Sequence, residues 1–456
     1  MKRIRFRTGL LLVLAILAVT ATSVFASVEN ARSHPVEFMA GAASYDITPP
    51  IGTPLGGTGG FPRRYRYLID WFGRHPYANF FTPSQGVHDP LRSKALILKN
   101  SKSAILFLSL DLVGVTSELY EKLNADLKRS GDFDEVIISA THTHSGTGAL
   151  STSWLWEILA MDQFNQTVYD DFIAGVKKSI ELARERLEPA MLASASFEVE
   201  EIHRNRRGRD GHMDNRANLL LAKTPDGTRT IGGIVNYAIH GMAMGGSGFL
   251  FSADVSGGIE RHLEKLLAGP SGARLPTMLF VNGAEGDVTT TFGGSAGVEK
   301  SGAIFASKAA PVISNLKPIE PDWRIRKLAV KMPKARLNLG VCGTQVGKKP
   351  LNVNLFIGKK AAPRVATVWQ IEIGDIGIFT FPGEPTTDIG VAAKATARAQ
   401  GVKDPWIFGL TNGHMAYFVT PEEYREGGVE GCSALHGPQA ASLLLNAHES
   451  LLKSKR

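Results

Sequence analysis

Val136-Ile137-Ile138-Ser139-Ala140-Thr141-His142-Thr143-His144-Ser145-Gly146 is an apolar run that stops abruptly at two histidines one residue apart. Alternate residues of an extended chain point to the same side. A strand ending this way therefore projects both imidazoles in one direction, where one can hold a metal and the other a reacting oxygen. The design recurs along the chain. Ala104 to Leu110 ends at Asp111, Ile234 to Ile239 ends at His240, Met278 to Val281 leads into Gly286-Asp287, and Ile376 to Phe381 leads into Gly383-Glu384. Strands with reactive side chains at one end are how α/β enzymes place a site at the edge of a sheet.

Between these runs the periodicity changes from two to that of a helix. Val168, Phe172, Val176, Ile180 and Leu187 mark one face of a helix closed by Pro189, and further helices are expected over Ile259 to Leu267 and Gln439 to Lys453. Asn218 to Thr224 and Thr230 to Tyr237 flank Pro225-Asp226-Gly227, a turn suited to a hairpin, so the sheet is expected to be mixed. The expected fold is α/β, a mixed β-sheet core with flanking helices and a metal site at the strand ends. No internal repeat is visible in the sequence.

With 456 residues, 43% hydrophobic and 21% charged, the composition is that of a folded globular protein. Four of the basic residues behind the net charge of +8, Lys2, Arg3, Arg5 and Arg7, lie at the very start, and what remains is too weak to argue for a nucleic-acid partner. That basic start, the apolar run from Gly9 to Val19 and the small residues before Ser27 read as a signal peptide over residues 1–26, cleaved after Ala26. A secreted or periplasmic protein follows, with residues 27–456 as a single catalytic domain. Cys342 and Cys432, the two cysteines, read as structural, and the sequence does not show whether they pair. Phe61 to Phe81 is rich in aromatics and arginine, suited to lining an apolar pocket, to peripheral membrane contact or to packing on the core.

Hydrolysis at zinc needs about three or four nitrogen or oxygen ligands held by secondary structure. His142, His240 and Glu384 all fall where apolar runs end. Around them the chain resembles the neutral ceramidases, zinc amidases that split N-acylsphingosines. The resemblance is carried by Gly41 to Pro50, His88 to Ala95, Ser139 to Gly146, Asn205-Arg206, Asn236 to Gly241, Phe280 to Thr289, Pro382 to Thr387 and Tyr417 to Gly431, in family order over nearly the whole chain. It implies Zn2+ held by His142, His240, Glu384 and Tyr417, with His144 and Arg206 at the substrate carbonyl and a small apolar amide or lipid as substrate. Two departures stand out. The family has Ser where this chain has Thr289, a third catalytic candidate, and Tyr where it has Val429. The chain also ends soon after Leu451-Leu452, so the C-terminal β-sandwich of long members is not expected, and Phe61 to Phe81 looks like an insertion.

Other readings compete. A metal-dependent amidohydrolase barrel also uses His-x-His, but on its first strand, whereas many residues precede it here. Metal-independent Ser or Thr hydrolysis lacks a Gly-x-Ser-x-Gly elbow around Thr289. A zinc hydrolase of another amide, a lactam or an ester fits the same ligands. A catalytically dead binding protein would account for Thr289 and Val429, but not for keeping all four ligands. Oligomeric state is open.

Overall fold

The computed structural model describes residues 38–454 except 61, 65–74, 130, 210, 247, 270, 347–348 and 360. The leader expected over residues 1–26 and the middle of the aromatic stretch lie outside the described residues. The expected α/β architecture is present, and its topology holds a repeat that the sequence conceals.

Three sheets are wound alike. In the first, Phe38–Asp46 lies beside Arg92–Asn100, which forms a hairpin with Ala104–Leu110; helix Ser117–Arg129 then crosses over and Glu135–Ala140 lies parallel to Ala104–Leu110. The second repeats this order with Met191–Glu198, Arg216–Lys223, Thr230–Tyr237, helix Asp254–Leu266 and Thr277–Asn282. The third uses Trp323–Lys331, Val365–Ile373, Ile376–Thr380, helix Thr387–Ala399 and Asp404–Phe408. Each crossover helix is 13 residues long. A second helix closes each module: Gln166–Glu185, Gly294–Ile313 and Ala440–Lys453. The hairpin expected around Asp226 and the helices expected after Asn165 and before Ser454 are present, with ends shifted by a few residues.

Each module has its own apolar core. Leu106, Ile138 and Val176 belong to the first, Leu219, Val235 and Phe305 to the second, and Val368, Ile407 and Leu444 to the third. The strands of the parallel pairs are deeply buried, with every residue of Ala104–Leu110, Thr230–Tyr237, Thr277–Asn282 and Ile376–Thr380 buried. Coverage on both faces explains why they read as continuous apolar runs with no alternation. Parallel neighbours also end at the same edge, which brings the loops after them together.

Buried polar groups tie the modules to one another. Lys94 Nζ bonds Glu260 at 2.7 Å and the carbonyl of Met278 at 3.2 Å, joining first and second. Asn236 Nδ2 donates to the carbonyl of Ile407 at 2.8 Å, joining second and third, and the backbone N of Ile138 donates to Asn412 Oδ1 at 2.9 Å, joining third and first. Cys342 and Cys432 form a disulfide, a pairing left open by their separation of 90 residues. It ties the turn after Arg336–Asn338 to helix Gly428–Ser433. No helix among the described residues is long and apolar enough to cross a membrane.

Candidate metal centre

The loops after the parallel strands of all three modules meet at one buried point. His142 leaves the fourth strand of the first module in a left-handed conformation (φ 67°), a strained state that persists where surrounding structure fixes it. Gly241 follows His240 and lies against this loop. A Cβ there would come within 2.5 Å of the His142 carbonyl and 2.8 Å of Thr143 Cα, so only glycine permits the approach, and His144 N donates to Gly241 O at 2.9 Å. Asn282, at the end of the second module's last strand, locks both loops. Its Nδ2 donates to the carbonyls of Thr141 (3.2 Å) and Ile239 (2.9 Å), and its Oδ1 accepts from Ile239 N (3.0 Å). From the third module, Glu384 pairs in parallel register with Tyr417.

The ring nitrogens separate these histidines by role. His142 Nδ1 is 2.6 Å from the Val113 carbonyl and His240 Nδ1 is 3.2 Å from the Glu285 carbonyl. A carbonyl only accepts, so both Nδ1 atoms carry the proton and both Nε2 atoms turn a lone pair inward. Those two Nε2 atoms are 2.9 Å apart. His144 Nε2 is 3.3 Å from His142 Nε2, but its Nδ1 faces Thr58 Oγ1 at 3.1 Å, and a hydroxyl can give or accept. The tautomer of His144 is therefore free to change where the other two are fixed.

Glu384 completes the cluster. Its Oε2 lies 3.3 Å from His142 Nε2 and 3.8 Å from His240 Nε2, buried and without a hydrogen bond. Ligand atoms about 2.0–2.1 Å from a tetrahedral ion stand about 3.3 Å from one another. The spacings fit. So do the charges: burial, with the Arg206 guanidinium nearby, holds His240 well below its ordinary pKa, and burial does the same for His144, so both stay neutral. Burial opposes ionisation of Glu384, and the hydrogen bond from His414 favours it.

Arg206 approaches from the strand His203–Asn205. Its Nε bonds Glu430 at 2.7 Å, and its guanidinium reaches the Gly286 carbonyl at 2.7 Å, Tyr417 Oη at 3.0 Å and His240 Nε2 at 3.3 Å. Burial and the charge of Glu384 push the Tyr417 phenol well above its ordinary pKa. An open cleft of about 470 Å³ outside Arg206 is lined by Val429, Glu430 and Gly427 among others. A larger cavity of about 790 Å³ lies elsewhere, between the second and third sheets, where Arg216–Asp404 and Lys403–Asp375 already pair.

Of the residues singled out in the sequence, His142, His144, His240, Glu384, Tyr417 and Arg206 come together. Thr289 does not join their hydrogen bonds; it is half-buried on a short strand opposite Arg204. Its neighbour Asp287 is the one engaged, accepting from Thr387 N and Oγ1 and from Asn205 Nδ2. Sequence reading also missed His414 and Glu285. The Nε2 of His414 is 3.2 Å from Glu384 Oε1. Glu285 is fully buried with neither carboxyl oxygen bonded, and burial with neighbouring Glu384 drives its pKa well up. Asn282 and Glu285 stand where an apolar run ends, the same signal that identified His142.

The sequence profile of the neutral/alkaline non-lysosomal ceramidase N-terminal region matches residues 72–308, more than half of the chain. A neutral ceramidase of Pseudomonas aeruginosa is 24% identical over 452 residues, covering 80% of this chain and 67% of that protein. One of Mycobacterium tuberculosis is 23% identical, covering 81% and 72%. Among solved structures, a ceramidase complexed with C2 superposes with a TM-score of 0.76 at 19% identity over 92% of this chain and 76% of that one. The crystal structure of the Pseudomonas aeruginosa neutral ceramidase gives 0.76 at 20% identity, covering 92% and 75%. These superpositions establish the fold, and the profile establishes the lineage: the chain belongs to the neutral/alkaline non-lysosomal ceramidase family.

Proposed function

We propose that this protein is a zinc-dependent amidase, secreted or periplasmic, that cleaves the amide bond of an apolar N-acyl substrate, with ceramide the first to test. One observation carries the reading: two lone pairs, on His142 Nε2 and His240 Nε2, approach to 2.9 Å in a buried site. A cation shared between two such acceptors, a metal ion or a proton, relieves their repulsion. Membership of the ceramidase family supports the reaction class, and the relatives named neutral ceramidase support the substrate.

His142, His240 and Glu384 would hold the ion, with the Tyr417 phenol as fourth ligand, a nitrogen and oxygen donor set suited to zinc. When bound, the metal supplies Lewis acidity and makes a water molecule acidic enough to attack near neutral pH. The chain's own groups do the rest. His144, neutral and free to switch tautomer against Thr58, accepts a proton or presents an N–H to the carbonyl. Arg206, oriented by Glu430, is the fixed cation for the negative charge developing on the carbonyl oxygen. Thr289 is retained as a hydroxyl for the leaving nitrogen on the strength of the family resemblance alone. Val429 is the one apolar side chain in a cleft otherwise lined by Arg206, Arg207, Glu426, Glu430 and two glycines.

Residues 1–26 are assigned as the leader and 27–456 as the catalytic domain; of the aromatic stretch Phe61 to Phe81, the described Arg63 and Phe81 are buried, with Arg63 donating to the carbonyls of Gly56 and His144. The Cys342–Cys432 disulfide supports an oxidising compartment. The test combines metal analysis of purified protein with a panel of ceramides, other N-acyl amides, lactams and esters, before and after chelation. The expected result is one zinc per chain and ceramide hydrolysis that chelation abolishes and zinc restores. Activity indifferent to metal removal overturns the mechanism. Metal-dependent turnover of another class alone keeps the chemistry and replaces the substrate.

A further inference from the structure

Among the described residues, groups that could bind a cation fall into two overlapping sets, His142 with His144 and His240, and His142 with Glu384 and His414. Both cannot be filled. His142 Nδ1 is committed to the Val113 carbonyl, which leaves a single nitrogen, Nε2, for one ion. The second set must then serve another purpose, and Glu384 shows which. Its Oε2 faces the imidazoles unbonded, whereas its Oε1 is 3.2 Å from His414 Nε2.

The His414 ring is held before any ion arrives. Trp156 packs edge-on to it with centroids 4.5 Å apart, and on another side a Cβ at Gly114 would lie 2.5 Å from the ring, so the backbone there is moulded to it. The loop carrying it is strained, with Leu410, Asn412 and Ala416 all at positive φ. Such strain persists where the structure fixes a side chain for a purpose, and here it aims His414 and Tyr417 at Glu384 from one loop.

We propose that His414 is a positioning residue for the metal site: its Nε2–H donates to Glu384 Oε1 and reserves Oε2 as the single carboxylate ligand. The proposal rests on the metal-site reading above. Without His414 the carboxylate is free to rotate and to bind through both oxygens, which raises the coordination number and weakens the site. Partners that orient a ligand in this way are worth about 10- to 100-fold in metal affinity.

The test measures zinc affinity by chelator competition in the wild type, His414→Ala and His414→Gln, together with metal stoichiometry and the visible spectrum of the cobalt-loaded proteins. Thermal unfolding of each metal-free protein checks folding. The expected result is one ion per chain throughout, affinity lowered about 10- to 100-fold in His414→Ala and largely restored by the amide donor of His414→Gln. The cobalt bands of His414→Ala should weaken, as they do when four-coordination gives way to five. Unchanged affinity in His414→Ala, or a Gln variant that folds but binds as weakly as Ala, overturns the proposal. Two ions in the wild type, one of them lost in His414→Ala, also overturns it and makes His414 a ligand. A wild type that binds no metal removes the metal-site reading itself.

Discussion

The two sides of the cluster are built differently. His142 and His240 hang from backbone carbonyls of the interior, Val113 and Glu285, and their loops are locked by the buried amide of Asn282. Arg206, although its guanidinium also reaches the Gly286 carbonyl, takes its orientation from a side chain. Glu430 holds Arg206 and also bonds Arg207 at 2.8 Å, and its helix is tied down by the disulfide at Cys432. The first side is as rigid as the core; the second is only as rigid as a short peripheral helix. Holding the metal and handling the carbonyl should therefore fail separately.

The sharpest way to break the comparison is on the imidazole side. His142→Ala or His240→Ala should remove bound metal and turnover together, with affinity falling beyond the roughly 100-fold that an outer partner can cost. Metal analysis and single-turnover assays on the same samples check it. Arg206→Ala should instead keep the metal and lose about 100- to 1,000-fold in kcat, the range for removing one donor to a developing oxyanion. Glu430→Gln should fall in the same direction by less, since the hydrogen bond survives and only its charge is lost. If either variant loses its metal as well, the two sides are not independent.

Opening the disulfide probes the peripheral side alone. Cys342→Ser with Cys432→Ser should cost about 2–4 kcal/mol of stability, measured by denaturant unfolding, and lower kcat while metal content is unchanged.

The smallest effect is a pH dependence from the core. Burial holds His448 down to about 4 from an ordinary 6.5, although its Nε2–H donates to the Thr380 carbonyl at 3.1 Å. The unfolded chain therefore takes up this proton before the folded one does. Stability is full above pH 6.5 and is lost as pH falls from 6.5 towards 4, by up to about 1.4 kcal/mol per pH unit. His203 and His436, also lowered by burial, add to the slope, so His448→Gln should reduce it without abolishing it. Urea unfolding at a series of pH values gives the comparison.

Much of this was legible in the chain because one signal, an apolar run ending in a polar residue, marks strands covered on both faces. It located the strands around Ile138, Val235 and Ile378, which the structure places in parallel pairs, and pointed at His142, His240 and Glu384. The threefold winding was not legible, since it repeats connectivity and helix length with no shared residue pattern. His414 was missed for another reason. It lies in an irregular loop, and its importance comes from facing Glu384 across 30 residues, a distance no periodicity records.

The threefold winding has one more consequence. His142, His240 and Glu384 are donated by three separate modules, each with a core of its own. A chain in which only one or two of these modules are packed brings no complete donor set together. Under the proposed reading, the reactive centre is a property of all three modules at once and of none alone.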